Sequence, residues 1–304
     1  MKHLLCGLLT TTLLSLPGVA LAESGHAPSG PAPSGHAQGE SLPAWTAALE
    51  AAISNRSAEE RARDAYRHPG ATLALFRVEP GMTVAEVLPG GGWYTNILAN
   101  YLGPKGTLYG VNYADDMWPL LSYATQEWIA KRIAATAAFP QQVAGFTDNG
   151  ITAAGFTFKT VPEAAAGKVD RVLLIRALHN LSRFEAQAGT LTQALQAIHR
   201  MLKDDGLVGV VQHRAPESVS DASASGERGY LKESAVIAAF EKAGFELVAS
   251  SEINANPADE PGEEAIVWRL PPSLRGSEDN PEQREAMLAI GETDRMTLLF
   301  RKAE

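Results

Sequence analysis

The chain predicts a doubly wound α/β domain on a mostly parallel sheet, and three observations carry that expectation. Strand-like and helical stretches alternate from residue 82 to residue 251. One strand, VDRVLLIRAL (169–178), is almost continuously apolar, as a parallel strand covered on both faces must be. The first strand runs straight into three glycines, EVLPGGGWYTN (86–96), before a helical pattern begins.

Ahead of that domain, residues 1–22, MKHLLCGLLTTTLLSLPGVALA, have a basic start, a short apolar run and a small-residue end. They read as a secretory signal peptide cut after Ala22, leaving no membrane anchor and placing the protein in the periplasm or outside the cell. Cys6, the only cysteine, lies inside this segment, so the processed chain has neither disulfide nor thiolate. Loss of Lys2 moves the formal charge from −9 to −10. An acidic chain offers no positive stripe for phosphates, which argues against a nucleic-acid partner. Residues 23–42 are rich in Pro, Gly and Ser and read as a flexible linker, with His26 and His36 as solvated linker histidines.

Residues 43–304 are expected to form one domain that opens with a helical segment, 43–78. Pro43 suits a first helical turn, and Ser57 with Glu60 forms a capping box after a break at Asn55. A short helix over 70–76 and the Pro80-Gly81 turn lead to the first strand, 82–88. A helix is expected at 93–103, a strand at 106–113 and a helix at 117–136. A weak third strand at 156–161 follows, then the strand at 169–178, a helix at 186–202 and a strand at 207–213. The remainder reads as a helix at 231–244, the FELVASS segment, and strands at 263–270 and 294–302 closing as a hairpin. The long polar connection between those last two suggests a flap or an extra surface helix.

These stretches resemble the class I S-adenosylmethionine-dependent methyltransferase fold. More narrowly, they resemble an exported bacterial family of predicted methyltransferases. The resemblance lies in RARDAYRHP (61–69), EVLPGGGWYTNILANYLGPKG (86–106), LHNL (178–181), GYLKESAVIAAFEKAGFEL (229–247) and TDRMTLLFRK (293–302). It implies a seven-stranded sheet in the order 3-2-1-4-5-7-6 with strand 7 antiparallel, and S-adenosylmethionine as cofactor.

A ligand in such a sheet sits beyond the carboxyl ends of the strands, where the strand order reverses. Gly90, Gly91 and Gly92 let the backbone turn there without Cβ atoms in the way, and the following helix offers unpaired amides. The turn holds a ligand or else permits tight strand-to-helix packing. The resemblance places the methionine part of the cofactor against this turn, with Glu86 near its amino group. Two residues depart from the usual pattern. Leu88 stands where a glycine is usual, followed by Pro89, which has no N–H. Asn112 stands where an acid would accept both ribose hydroxyls, with Asp115 or Asp116 as substitutes within reach. The absent GxGxxG disfavours a dinucleotide dehydrogenase.

Catalytic candidates stand at the strand tips. His179 either takes a proton from an acceptor or caps the next helix, and Asn180 shares its face. Arg176 is a charge in need of a partner. His213 pairs with His179 for proton transfer, or forms half a metal site that Glu217 and Asp221 would complete. His199, near a helix C-terminus, reads as structural. Tyr94 and Trp93 stack on a planar ligand or pack in the core. Asp64 and Arg67 lie on a helix that could cover the crevice. Tyr230, beside Arg228, could orient an acceptor, and Asp294-Arg295 reads as a pair that fixes its strand. Two functions follow. One is a methyltransferase acting on a small molecule or a cell-envelope substrate. The other is an exported binding protein, or a repurposed enzyme, that keeps the fold with an altered cofactor site.

Overall fold

The computed structural model describes residues 44–304; the expected signal peptide, the linker and the Pro43 helix start lie outside the described residues. Four helices come first: α1 (Ala44–Ser54), α2 (Ala58–Arg61), α3 (Asp64–Arg67) and α4 (Pro69–Leu75). The capping box forms as expected, since the Ser57 hydroxyl accepts the Glu60 amide and the Glu60 carboxylate accepts the Ser57 amide. The sheet units follow: β1 (Thr83–Val87), α5 (Trp93–Leu102), β2 (Thr107–Asn112), α6 (Gln126–Ala137), α7 (Phe139–Ala144), β3 (Thr152–Thr157) and β4 (Val169–Ile175). Next come α8 (Leu178–Arg183), α9 (Glu185–Ala188), α10 (Thr190–Met201), β5 (Leu202–Ala215), a two-residue β6 (Leu231–Lys232), α11 (Glu233–Lys242), β7 (Phe245–Ser251), α12 (Pro281–Ile290) and β8 (Arg295–Lys302).

The sheet runs β3-β2-β1-β4-β5-β8-β7, with β6 attached beside β5. Setting β6 aside, this is the 3-2-1-4-5-7-6 order with its seventh strand antiparallel, since β8 pairs antiparallel with both β5 and β7. The strand order reverses between β1 and β4, which lie side by side.

Alternation along β4 explains the apolar run at its carboxyl end, Val172–Ile175. Val172 and Leu174 join the core on one face, while Leu173 joins the core on the other. Helices α1, α4, α5 and α7 cover the Leu173 face, and α8, α10 and α11 cover the opposite one. The N-terminal helices come close: Phe76 sits where any side chain at Gly209 on β5 would have to be, 2.5 Å from its Cβ position. That contact fixes the opening helical segment over the sheet.

Several elements differ from expectation. The third strand lies at 152–157, not 156–161. Its TAAGFT sequence carries little strand signal because α6 rides directly on it. A Cβ at Gly155 would fall 1.8 Å from the Thr136 carbonyl oxygen, so small residues are required. The 263–270 segment is not a strand but a loop with one 3-10 turn, Val267–Arg269. Its apolar residues serve loop packing, with Val267 filling the space above Gly229. The edge strand beyond β8 is therefore β7, not that segment. The expected 117–136 helix is a 3-10 turn at Asp115–Leu120 followed by α6, which Thr125 caps. Gly189, with φ of +61°, splits the expected 186–202 helix into α9 and α10. The 271–292 connection holds α12. Among the described residues, no helix is long and apolar enough to cross a membrane.

Candidate functional site

Two strand tips shape the site. After β1, the Leu88 amide donates to the Val111 carbonyl (2.8 Å) and the backbone turns left-handed, φ +53°. After β4, the Arg176 amide donates to the Val211 carbonyl (2.7 Å) and the backbone does the same, φ +58°. A residue in that conformation breaks the strand abruptly, and both side chains enter the space above the sheet.

That space is a cavity of about 500 Å³ at the carboxyl ends of β1, β4 and β5. Leu88, Pro89, Gly90 and Gly91 form its floor on the β1 side. Beyond β2 the wall is aromatic. Tyr113 lies 5.2 Å from Trp118, and Trp118 lies 5.5 Å edge-on from Trp128. Trp93 and Trp268 also line the cavity, opposite one another in sequence terms but brought to one space by α5 and the 263–270 loop.

The charge of the lining is one-sided. Arg63, Arg67, Arg132 and Arg176 line the cavity, and among the described residues no carboxylate does. The one nearby acid, Glu292, is buried and already shared. It accepts from Arg63 at 2.6 Å, Arg295 at 2.7 Å and Arg67 at 3.4 Å. β8 explains the arrangement: being antiparallel, it starts at the crevice end, opposite His213, so the residues just before it overhang the cavity. Arg67 also lies over the Trp93 ring at 4.6 Å. Arg176 is half-buried and has no hydrogen-bond or ion-pair partner for its guanidinium among the described residues. Burial, with Arg67 and Arg295 nearby, lowers its pKa to about 9.

His179 and His213 come together, their ring centroids 5.7 Å apart, and both line the cavity. Burial lowers His179 to about pKa 4. Burial, then His179 and the arginines, holds His213 well below its usual value. Both rings are neutral near pH 7, with lone pairs available. The Nδ1 of His213 is tied to the Thr293 hydroxyl at 2.6 Å, so its Nε2 is the nitrogen left for a ligand. The expected completion of a metal site does not assemble: Glu217 accepts from Ser234 and Asp221 pairs with Lys232.

The other candidates are more dispersed. Glu86 is buried against α5, where it accepts from the Thr95 hydroxyl at 2.6 Å, and it does not line the cavity. It holds the turn rather than facing the ligand space. Asn112 donates its amide to the Thr136 hydroxyl, and Asp116 pairs with Lys159. Gly90 and Gly91 line the cavity, but Gly92 serves packing: a Cβ there would meet the Phe146 ring at 2.7 Å. Tyr94 is buried beside Trp93, its hydroxyl 3.4 Å from the Arg67 carbonyl. Tyr230 turns its hydroxyl to Asp259 (3.1 Å) and packs behind His213 rather than lining the cavity. Asp64 binds Arg56, while Arg67 reaches the cavity from the same short helix. Asp294 and Arg295 each fix β8, though not through one another: Asp294 pairs with Arg214, and Arg295 with Glu292. His199 packs edge-on to Phe245, a structural contact.

No protein-family model matches this chain, and no curated protein is similar to it. Solved structures are similar in fold. A SAM-dependent methyltransferase from Aquifex aeolicus matches at 16% identity over 68% of this chain and 93% of its own, TM-score 0.43. An arsenic(III) S-adenosylmethionine methyltransferase from Chlamydomonas reinhardtii matches at 14% identity over 84% and 73%, TM-score 0.44. The 1,6-didemethyltoxoflavin-N1-methyltransferase of Burkholderia thailandensis, solved with S-adenosylhomocysteine, matches at 11% identity over 86% and 87%, TM-score 0.43. At that distance, what this chain does has to be read from its own cavity.

Some residues of the site carried no signal of their own in the sequence. Arg63, Trp118, Trp128, Trp268 and Glu292 belong to this site, yet none sits in a nucleotide-binding motif. Trp118 and Trp128 fell in a stretch expected to be helical, where an apolar residue needs no further use, so nothing set them apart.

Proposed function

We propose that the protein is a methyltransferase that uses S-adenosylmethionine. The observation that carries this reading is the position of the cavity: it opens where the strand order reverses, between an aromatic wall after β2 and the open Gly90–Gly91 turn after β1. When bound, S-adenosylmethionine supplies a methyl group on a sulfonium sulfur.

The residues present fit the cofactor in part. Tyr113, Trp118 and Trp128 offer flat surfaces suited to an adenine. A Cβ at Gly91 would meet nothing within 4 Å, so backbone can lie against the methionine end there. In the first turn of α5 the Thr95 amide serves Glu86, which leaves those of Trp93 and Tyr94 for a carboxylate. The buried Trp118 Nε1 and His179 Nδ1 have no partner among the described residues, which leaves a donor and a further polar atom for a ligand to meet. The lining has no acid for the ribose hydroxyls, so these would bind without charge assistance. Neutral His179 or His213 would hold the proton that the acceptor releases.

One observation favours a second reading. Four arginines and no carboxylate suit an anion better than the cationic centre of S-adenosylmethionine. On that reading the protein keeps the fold but binds another ligand. Calorimetric titration with S-adenosylmethionine and S-adenosylhomocysteine decides between them: binding of both supports the first reading, and no heat at millimolar ligand overturns it. We further propose that the protein acts after export, on a small molecule or a cell-envelope substrate, as its first 22 residues suggest.

A further inference from the structure

We infer that the cavity takes an aromatic oxyanion, a carboxylate or phosphate monoester on a planar ring, with its charged end against Arg176 and Arg67 and its ring among the tryptophans. The charge count comes first. The chain as a whole is acidic, with a formal charge of −9, yet this cavity is lined by four arginines and no acid among the described residues. Glu292 offsets part of that charge, but it serves Arg63, Arg67 and Arg295 together and does not pair with Arg176.

Arg176 is the decisive residue. It is a half-buried cation beside two others, with no acid or hydrogen-bond acceptor of its own among the described residues. It also sits at φ +58°, a left-handed conformation that a non-glycine residue adopts only under strain. Both features are unfavourable in the free protein. A guanidinium in that setting is suited to a planar oxyanion, which it can bind with two parallel hydrogen bonds. S-adenosylmethionine carries one carboxylate, and the glycine turn and α5 already offer it amides. The arginines are therefore available to a second molecule.

The walls specify the rest of that molecule. Trp93, Trp118, Trp128 and Trp268 line one cavity of about 500 Å³, more aromatic surface than a single adenine covers. The histidines follow the charge. The arginines help keep His213 neutral, and Arg176 acts on His179 in the same direction. An anion against Arg176 offsets that field and raises the basicity of both rings. The ligand's role as methyl acceptor rests on the function proposed above; its binding does not.

The test is calorimetric titration of the purified protein, without S-adenosylmethionine, using benzoate, phenyl phosphate and neutral benzyl alcohol. At least one anion is expected to bind at least about tenfold more tightly than benzyl alcohol, and more weakly as salt is raised. The preferred anion distinguishes a carboxylate from a phosphate ligand. Arg176→Gln is expected to weaken that anion at least about tenfold while raising the melting temperature of the unliganded protein. Equal affinity for benzyl alcohol, affinity independent of salt, no binding of either anion, or undiminished binding by Arg176→Gln would each overturn the inference. A separate titration with S-adenosylmethionine reports on the cofactor alone, so either proposal can fail without the other.

Discussion

Leu88 and Arg176 hold the same place on two adjacent strands. Each is the first residue past its strand, each donates its amide to the next strand's carbonyl at 2.8 and 2.7 Å, and each turns left-handed at φ +53° and +58°. Two bulky side chains thus enter the ligand space from positions that would favour glycine, and two strained turns at one cavity indicate a constraint set by what the cavity does.

Replacing Leu88 with glycine tests the side chain that stands nearest the expected cofactor. Strain relief of about 1 kcal/mol is offset by lost contacts of a half-buried leucine, so stability should change little. Affinity for S-adenosylmethionine should rise severalfold, because the floor of the cavity is lowered. Calorimetry that finds equal or weaker binding removes Leu88 as an obstruction.

The three glycines divide into two roles that substitutions separate. Gly92→Ala puts a methyl group 2.7 Å from the Phe146 ring at φ +84°, and should cost about 2 kcal/mol or more in urea unfolding. Gly91→Ala meets nothing within 4 Å and should leave stability within about 0.5 kcal/mol while weakening cofactor binding. If Gly91→Ala binds as tightly as the natural protein, the turn is there for packing alone.

Glu86 gives a signed pH dependence. Burial raises its carboxyl from 4.5 to about pKa 7, against the Thr95 hydrogen bonds that favour ionisation. The folded protein keeps a proton that the unfolded chain releases, so this stability is full below pH 4.5 and is lost as pH rises through 7. Glu86→Gln should be more stable than the natural protein above pH 7, by on the order of 3 kcal/mol. His179 has the opposite sign. Lowered by burial from 6.5 to about 4, it contributes stability that is full above pH 6.5 and is lost as pH falls through 4. Between pH 4.5 and 6.5 the two slopes oppose, so Glu86→Gln should also steepen the rise of stability with pH there. Urea unfolding across this range measures both effects, and a profile unchanged by the substitution rejects the assignment.

Glu292 is the counter-charge for three arginines. Glu292→Gln leaves Arg67 and Arg295 buried without an acid and should destabilise the protein by about 3–5 kcal/mol. Retention of the natural midpoint in urea unfolding would show that water, not Glu292, balances the cluster.

The sheet was readable from the sequence because its signals are local. Apolar runs in β4 and β5 mark buried parallel strands whatever surrounds them. The third strand was misplaced because its alanines and glycine answer to the contact of Gly155 with Thr136 on α6, which sequence spacing does not show. The 263–270 segment failed for the same reason: Val267 and Trp268 are apolar for a loop cluster and a cavity wall, and no periodicity separates those uses from a strand. At the site, the glycine turn, His179, His213 and the unpaired charge of Arg176 were legible because strand tips are. The shared acid Glu292 was not, since its partners come from the opening helices more than 220 residues earlier. Asn112 and Glu86 sit at motif positions, but local hydroxyls claim both, which only packing reveals.

Four of the chain's five tryptophans wall one cavity, two of them within 5.5 Å of each other and one with arginines over its ring at 4.6 and 4.7 Å. The intrinsic ultraviolet emission of this protein is therefore mostly emission from its crevice. A molecule that enters displaces water from those indoles and moves the arginines that quench or shift them, so occupancy carries its own optical signature and no label has to be attached.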